Sequence, residues 1–181
     1  LNSLAENGVS QFSFSTNDGA THSGDALMDF VEGGRFADVD ITISQGENTL
    51  ALSGKISFNP NKGIMVHTAA EDNGIAPSVV LLHEFGHECQ KTHFGVENYQ
   101  NSLLDDHEMS VIENLEAPAA EKLGMGVRNT HTTFNSKEEA IKMLRIGSEF
   151  QRTPYEQRRA QNTPYNYFIK TAGPNSKEPK Q

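Results

Sequence analysis

Apolar positions fall into short alternating runs in the first third of the chain and into longer, helix-spaced runs after it. Phe12 and Phe14 alternate with Gln11, Ser13 and Ser15, the period of a half-buried strand, inside an otherwise polar stretch over residues 1–22. Asp25 to Glu32, with Leu27, Phe30 and Val31 at helical spacing and Gly33-Gly34 after it, predicts a short helix. Val39, Ile41 and Ile43 alternate with polar residues, and so do Leu50, Leu52, Ile56 and Phe58. They predict two antiparallel strands joined around Gln45-Gly46-Glu47-Asn48. Asn59-Pro60-Asn61-Lys62-Gly63 reads as a turn into Ile64-Met65-Val66, followed by a polar loop through Glu71-Asp72-Asn73-Gly74.

The helical part begins at Pro77, which suits a first helical turn. Val79-Val80-Leu81-Leu82 buries that helix, and Gly95 stops it. A second helix spans Asn101 to Glu116. It must bend or restart before Pro118, which has no backbone N–H to donate, and Leu123-Gly124-Met125-Gly126 closes it. Ser136 to Phe150 reads as a packing helix. Beyond residue 150 the chain changes character: Thr153-Pro154-Tyr155 returns as Thr163-Pro164-Tyr165, and the end is rich in Pro, Lys and Ser. The division expected is one domain over 1–150 and a polar, partly disordered tail over 151–181.

Composition narrows the function classes. With 181 residues, 35% of them hydrophobic and no tryptophan, the chain can bury a real but modest core. Fifteen basic against twenty-four acidic residues, a net charge of −9, argue against nucleic acid as a partner. The single cysteine, Cys89, excludes an internal disulfide and reads as a small buried residue. No apolar stretch is long enough to span a bilayer and no signal peptide is visible, so no membrane partner is expected. The first residue is Leu1, which predicts a processed or excised piece of a longer protein.

Candidate chemistry lies in His83-Glu84-Phe85-Gly86-His87, an H-E-x-x-H pattern. Residues four apart share a helix face, so both histidines can offer a ring nitrogen to one ion, and Glu84 can reach a water there as general base. The ion implied is zinc, with one further protein ligand and an open position. Two residues compete for that third place. His93 would complete the metzincin pattern, but Gln90 stands where that pattern has a turning glycine. If the helix runs on to Gly95, His93 lies about 9 Å beyond His87 along the axis. The rival is Glu108. At about 100° per residue, Leu104, Val111, Ile112 and Leu115 share roughly one 100° arc of the second helix, and Glu108 lies inside it. A carboxylate on an apolar face needs a partner or a metal. His107, its neighbour, is either a supporting group or an exposed one.

These residues resemble the NleD-type zinc metallopeptidases of bacterial effectors and polymorphic toxins, over roughly residues 37 to 131. The likeness is carried by Ile56-Ser57-Phe58-Asn59-Pro60, by Ala76-Pro77 leading into Leu82-His83-Glu84-Phe85-Gly86-His87, by Glu108-Met109-Ser110-Val111-Ile112-Glu113-Asn114, and by Leu123-Gly124-Met125-Gly126-Val127-Arg128. The resemblance implies a gluzincin-like site with Glu108 as third ligand. It also implies secretion by a bacterium into a host or competitor cell, for instance as the carboxy-terminal toxin of an Rhs-type protein. An immunity protein or a secretion-system component is the partner such delivery implies. Some members of that family cut mitogen-activated protein kinases in a Thr-x-Tyr loop, which gives the doubled Thr-Pro-Tyr a second reading as an internal inhibitor or slow substrate.

The expectation is therefore an α+β, zincin-like domain: a small mixed sheet, a metal helix packed on it, and a second helix bringing Glu108. It would be a zinc metalloendopeptidase acting on a protein or peptide. Zinc would be held by His83, His87 and Glu108, with Glu84 as general base and His131 or Arg128 as candidates to stabilise the oxyanion. Substrate would lie along a sheet edge such as Leu50 to Phe58. The alternatives are a metzincin-like site using His93, a zinc hydrolase of another bond, and a non-catalytic binding module stabilised by zinc.

Overall fold

The computed structural model describes residues 4, 8–15, 19–31, 39–46, 49–52, 54–68, 71–95, 99, 107–149 and 164–171. In chain order these form strands β1 (Gln11–Ser15) and β2 (Thr21–Asp25), helix α1 (Ala26–Val31), strands β3 (Asp40–Ile43), β4 (Leu50–Leu52), β5 (Lys55–Phe58), β6 (Lys62–His67) and β7 (Asp72–Ile75), then helix α2 (Pro77–Phe94). Helix α3 (His107–Val111), a π-helical turn (Ile112–Glu116) and helix α4 (Ala117–Lys122) run on without a break. Strand β8 (Thr133–Phe134), helix α5 (Lys137–Glu149) and strand β9 (Tyr165–Lys170) complete the order. The class is α+β with small sheets, as expected.

Helix α2 is the element the others cover. Every residue from Val79 to Gln90 is buried, which marks a helix enclosed on all sides rather than one with a solvent face. It opens with Pro77 and stops at Phe94 before Gly95, as the sequence predicts. Its apolar residues join Phe12, Phe14, Ile56, Ile64, Val66, Ile75, Val111 and Leu115 in one hydrophobic cluster. Cys89 is fully buried there.

The sheets depart from the simple reading in instructive ways. Leu50 to Phe58 is not one strand: Gly54, at φ 77°, turns the chain, and β4 and β5 form a tight antiparallel hairpin. The first alternating run then pairs parallel with β5, in register Ile41 with Ile56, so β5 lies between β3 and β4 and the expected β3–β4 pairing is absent. Ile41 and Ile43 are both exposed on that outer strand. The polar stretch Asp72–Ile75 is a strand, paired antiparallel with β6. Polar residues can form it because backbone bonds to β6 hold it, while Ile75 alone supplies burial.

The 4-stranded sheet has the order β7-β6-β9-β8. Strand β9 comes from the segment expected as tail; it pairs antiparallel with β6 over its full length and parallel with β8. The second Thr-Pro-Tyr copy ends in this strand, with Tyr165 buried against the His67 ring. The first copy, and Thr163, lie outside the described residues, as do Asn101–Asp106 at the start of the second helix.

Pro118 is accommodated by a change of helical register rather than by a break. It cannot donate to the carbonyl four residues back, and the preceding turn widens so that the Ala117 N–H bonds to the Ile112 carbonyl, an i→i+5 link. This widened turn packs against α2 at Gly86. A Cβ built on Gly86 would lie 2.6 Å from Val111 Cγ1 and 3.0 Å from Leu115 Cδ2, so only glycine allows the two helices this close.

Candidate metal centre

His83 and His87 point the same way from α2, their Nε2 atoms 3.0 Å apart. Glu108, in the first turn of α3, brings Oε2 to 3.2 Å from His83 Nε2 and 3.1 Å from His87 Nε2. Donors held 2.0–2.2 Å from one tetrahedral ion lie about 3.3 Å apart, so this triangle has the size of a zinc ligand set. The donor types, two imidazoles and a carboxylate, suit the same ion. Among the described residues, the groups able to hold a metal all include Glu108: it joins His83 and His131 in one, and His87 and His107 in the other.

Behind His83 stands a support that the sequence reading did not pick out. Nδ1 of His83 donates to Glu116 Oε2 at 2.8 Å, which turns Nε2 toward the cluster. Both oxygens of Glu116 are in turn held by Arg128, Nε to Oε1 at 2.7 Å and Nη2 to Oε2 at 2.5 Å. Arg128 is buried in this pair, so its guanidinium is engaged behind the histidine. It is placed by the loop after α4: Gly126 donates to the Gly74 carbonyl at 3.0 Å, and a Cβ on it would meet the Asn73 carbonyl oxygen at 2.5 Å. The Leu123-to-Arg128 run thereby acquires a physical role, seating the loop on β7.

Gln90, the residue that breaks the metzincin pattern, docks the second helix instead. It is fully buried and its Nε2 donates to the His107 carbonyl at 3.1 Å, in the turn that carries Glu108. Because α2 continues through Phe94, His93 is carried away from the cluster. Its Nε2 lies 3.4 Å from Asp29 Oδ2, and its ring packs against Phe12 and His22. His107 is half-buried, with Nε2 3.6 Å from Glu108 Oε1.

The cluster opens into a cavity of about 650 Å³. His83, Glu84 and His87 line it together with Thr49, Leu50 and Ala51 at the edge strand β4, and with Tyr99 and His131. Burial pushes the Glu84 carboxyl up to about 7, partly offset by the charge at His83. Burial disfavours a charged His83, yet hydrogen bonds to Glu108 and Glu116 carry its pKa up to about 9. Glu116 resists burial in the opposite sense: the His83 hydrogen bond and the Arg128 charge hold it down at about 2. Glu108 is likewise held far below the carboxylate range, its own desolvation outweighed by His83 and His87.

Compared with known protein families, curated proteins and solved structures, the chain matches none. No helix among the described residues is long and apolar enough to cross a membrane.

Proposed function

We propose that the chain is a zinc-dependent endopeptidase. The observation that carries this reading is the convergence of His83 Nε2, His87 Nε2 and Glu108 Oε2 within 3.0–3.2 Å of one another, with Glu84 on the same cavity wall. When bound, zinc supplies Lewis acidity: it polarises a scissile carbonyl and brings the pKa of water to about 7. The protein residues do the rest. His83 and His87 turn Nε2 toward the cluster and would give up any proton there on binding the ion, with Glu116 fixing the tautomer of the first. Glu84, whose environment favours proton exchange near neutrality, takes a proton from the attacking water and passes it to the leaving amine. The edge strand β4 lies along the cavity, so an extended peptide can add to it by main-chain hydrogen bonds.

The resemblance to NleD-type metallopeptidases extends the reading to an effector or toxin domain delivered into another cell, where it would cut a protein of that cell. Digestion of a peptide library by the purified chain tests the peptidase reading. Cleavage that stops with chelator and returns with zinc is the expected result. Zinc uptake without any cleavage would leave a binding module or a hydrolase of another bond.

A further inference from the structure

A further side chain, His131, reaches the carboxylate oxygen that His83 and His87 share. His131 Nε2 lies 3.2 Å from Glu108 Oε2, the same oxygen that meets His83 Nε2 at 3.2 Å and His87 Nε2 at 3.1 Å. The His83–His87 separation is 3.0 Å, so each of these distances is near the 3.3 Å or so between donors of a four-coordinate zinc. The donor atoms of His83, Glu108 and His131 all lie within 4.8 Å of one another.

The backbone under His131 is built to hold that position. Asn166 of β9, itself 1% exposed, donates from Nδ2 to the carbonyls of Thr130 at 2.9 Å and Thr132 at 3.2 Å, the residues on either side of His131. Thr133 Oγ1 donates to the His131 carbonyl at 3.1 Å. A buried amide spent on two flanking carbonyls fixes the loop and aims its tip. The ring it carries is treated differently from the other donors: its side chain is 54% exposed, against 3% for His83 and 6% for His87. His131 is thus the most exposed of these donors, placed where its side chain can rotate toward solvent.

We propose that His131 is a fourth protein ligand that closes the metal position at rest and gives way to water and substrate when the site works. With zinc bound, the His131 imidazole would give up its place to one water oxygen, so the number of donors would be unchanged. The consequence is a latent site: a tethered imidazole competes with substrate at an effective concentration on the order of millimolar or above. The inference rests on the zinc reading above, and it assigns a task to β9, which holds Asn166 in place.

The test uses cobalt(II) as a spectroscopic probe, together with zinc titration against a chromophoric chelator, on the full chain and on His131→Ala, Asn166→Asp and His83→Ala. His131→Ala is expected to weaken zinc by about tenfold or more and to change the intensity of the visible cobalt bands as water replaces a nitrogen donor. Asn166→Asp, which loses both amide N–H donors, should move the spectrum in the same direction. His83→Ala should lose the bound-metal spectrum. Unchanged zinc affinity and cobalt bands in His131→Ala, with kcat alone reduced, would make His131 an oxyanion-stabilising group and overturn the proposal while leaving the zinc site standing. No metal uptake by the parent chain would overturn both.

Discussion

His83 and Glu116 are joined by a hydrogen bond of 2.8 Å from Nδ1 to Oε2, and the glutamate is almost wholly buried. The bond orients a ring whose other nitrogen faces the cluster, and the charge of Glu116 is balanced by Arg128. Glu116→Ala should therefore do two things at once. Zinc affinity should fall about 10–100-fold, the usual effect of removing a carboxylate behind a histidine ligand. Stability without metal should fall by about 3–5 kcal/mol, because Arg128 is left buried without its partner. Chelator competition and urea unfolding measure the two effects separately, and a variant normal in both would show that the pair does no work.

Gly86 is a close contact between α2 and the helix that carries Glu108. In Gly86→Ala the new methyl meets Val111 Cγ1 at 2.6 Å, on a stiff β-branched side chain that cannot swing aside. Overpacking of this kind costs about 1–3 kcal/mol, against a helix-propensity gain of up to about 1 kcal/mol. A net loss of stability is expected, and zinc affinity should fall with it because Glu108 and Glu116 ride on the helix that is pushed away. Thermal unfolding with and without zinc checks this; a variant more stable than the parent would mean that the helices pack less closely than described.

Glu84 lines the cavity beside the two histidines without joining their triangle. Glu84→Gln should keep zinc and the fold and lose about 10²–10⁴-fold in hydrolysis, the range of a general acid–base contribution. Single-turnover cleavage by the zinc-loaded variant is the measurement. Full activity would remove Glu84 from the mechanism.

Glu108 and His93, the two sequence-level rivals for the third ligand, end on different sides of α2: one in the cluster, the other against Asp29. Zinc titration of Glu108→Ala should show a large loss and that of His93→Ala almost none. The reverse outcome would require the end of α2 to unwind at Gln90 when metal binds.

The sequence by itself determined helix α2 and its pair of histidines, because a four-residue spacing and a continuous apolar run are local properties of one helix. It also singled out Glu108, since a carboxylate inside an apolar arc stands out by periodicity alone. Glu116 escaped the same test for a definable reason. At about 100° per residue it falls about 40° outside the arc spanned by Val111 and Ile112, and only the widened π turn ahead of Pro118 brings it back toward α2. The alternating runs were visible, but their order was not. Whether β5 lies beside β3 or apart from it depends on which backbone edges meet, and Gly54 turns a run that reads as one strand into a hairpin. The seating of His131 was decided by tertiary structure alone, for it depends on an amide 35 residues away in sequence, on a strand whose pairing with β6 no local pattern encodes. Local spacing specifies which side chains one helix can present together; the partners that orient them arrive from elements whose adjacency is set by burial and backbone pairing across the whole chain.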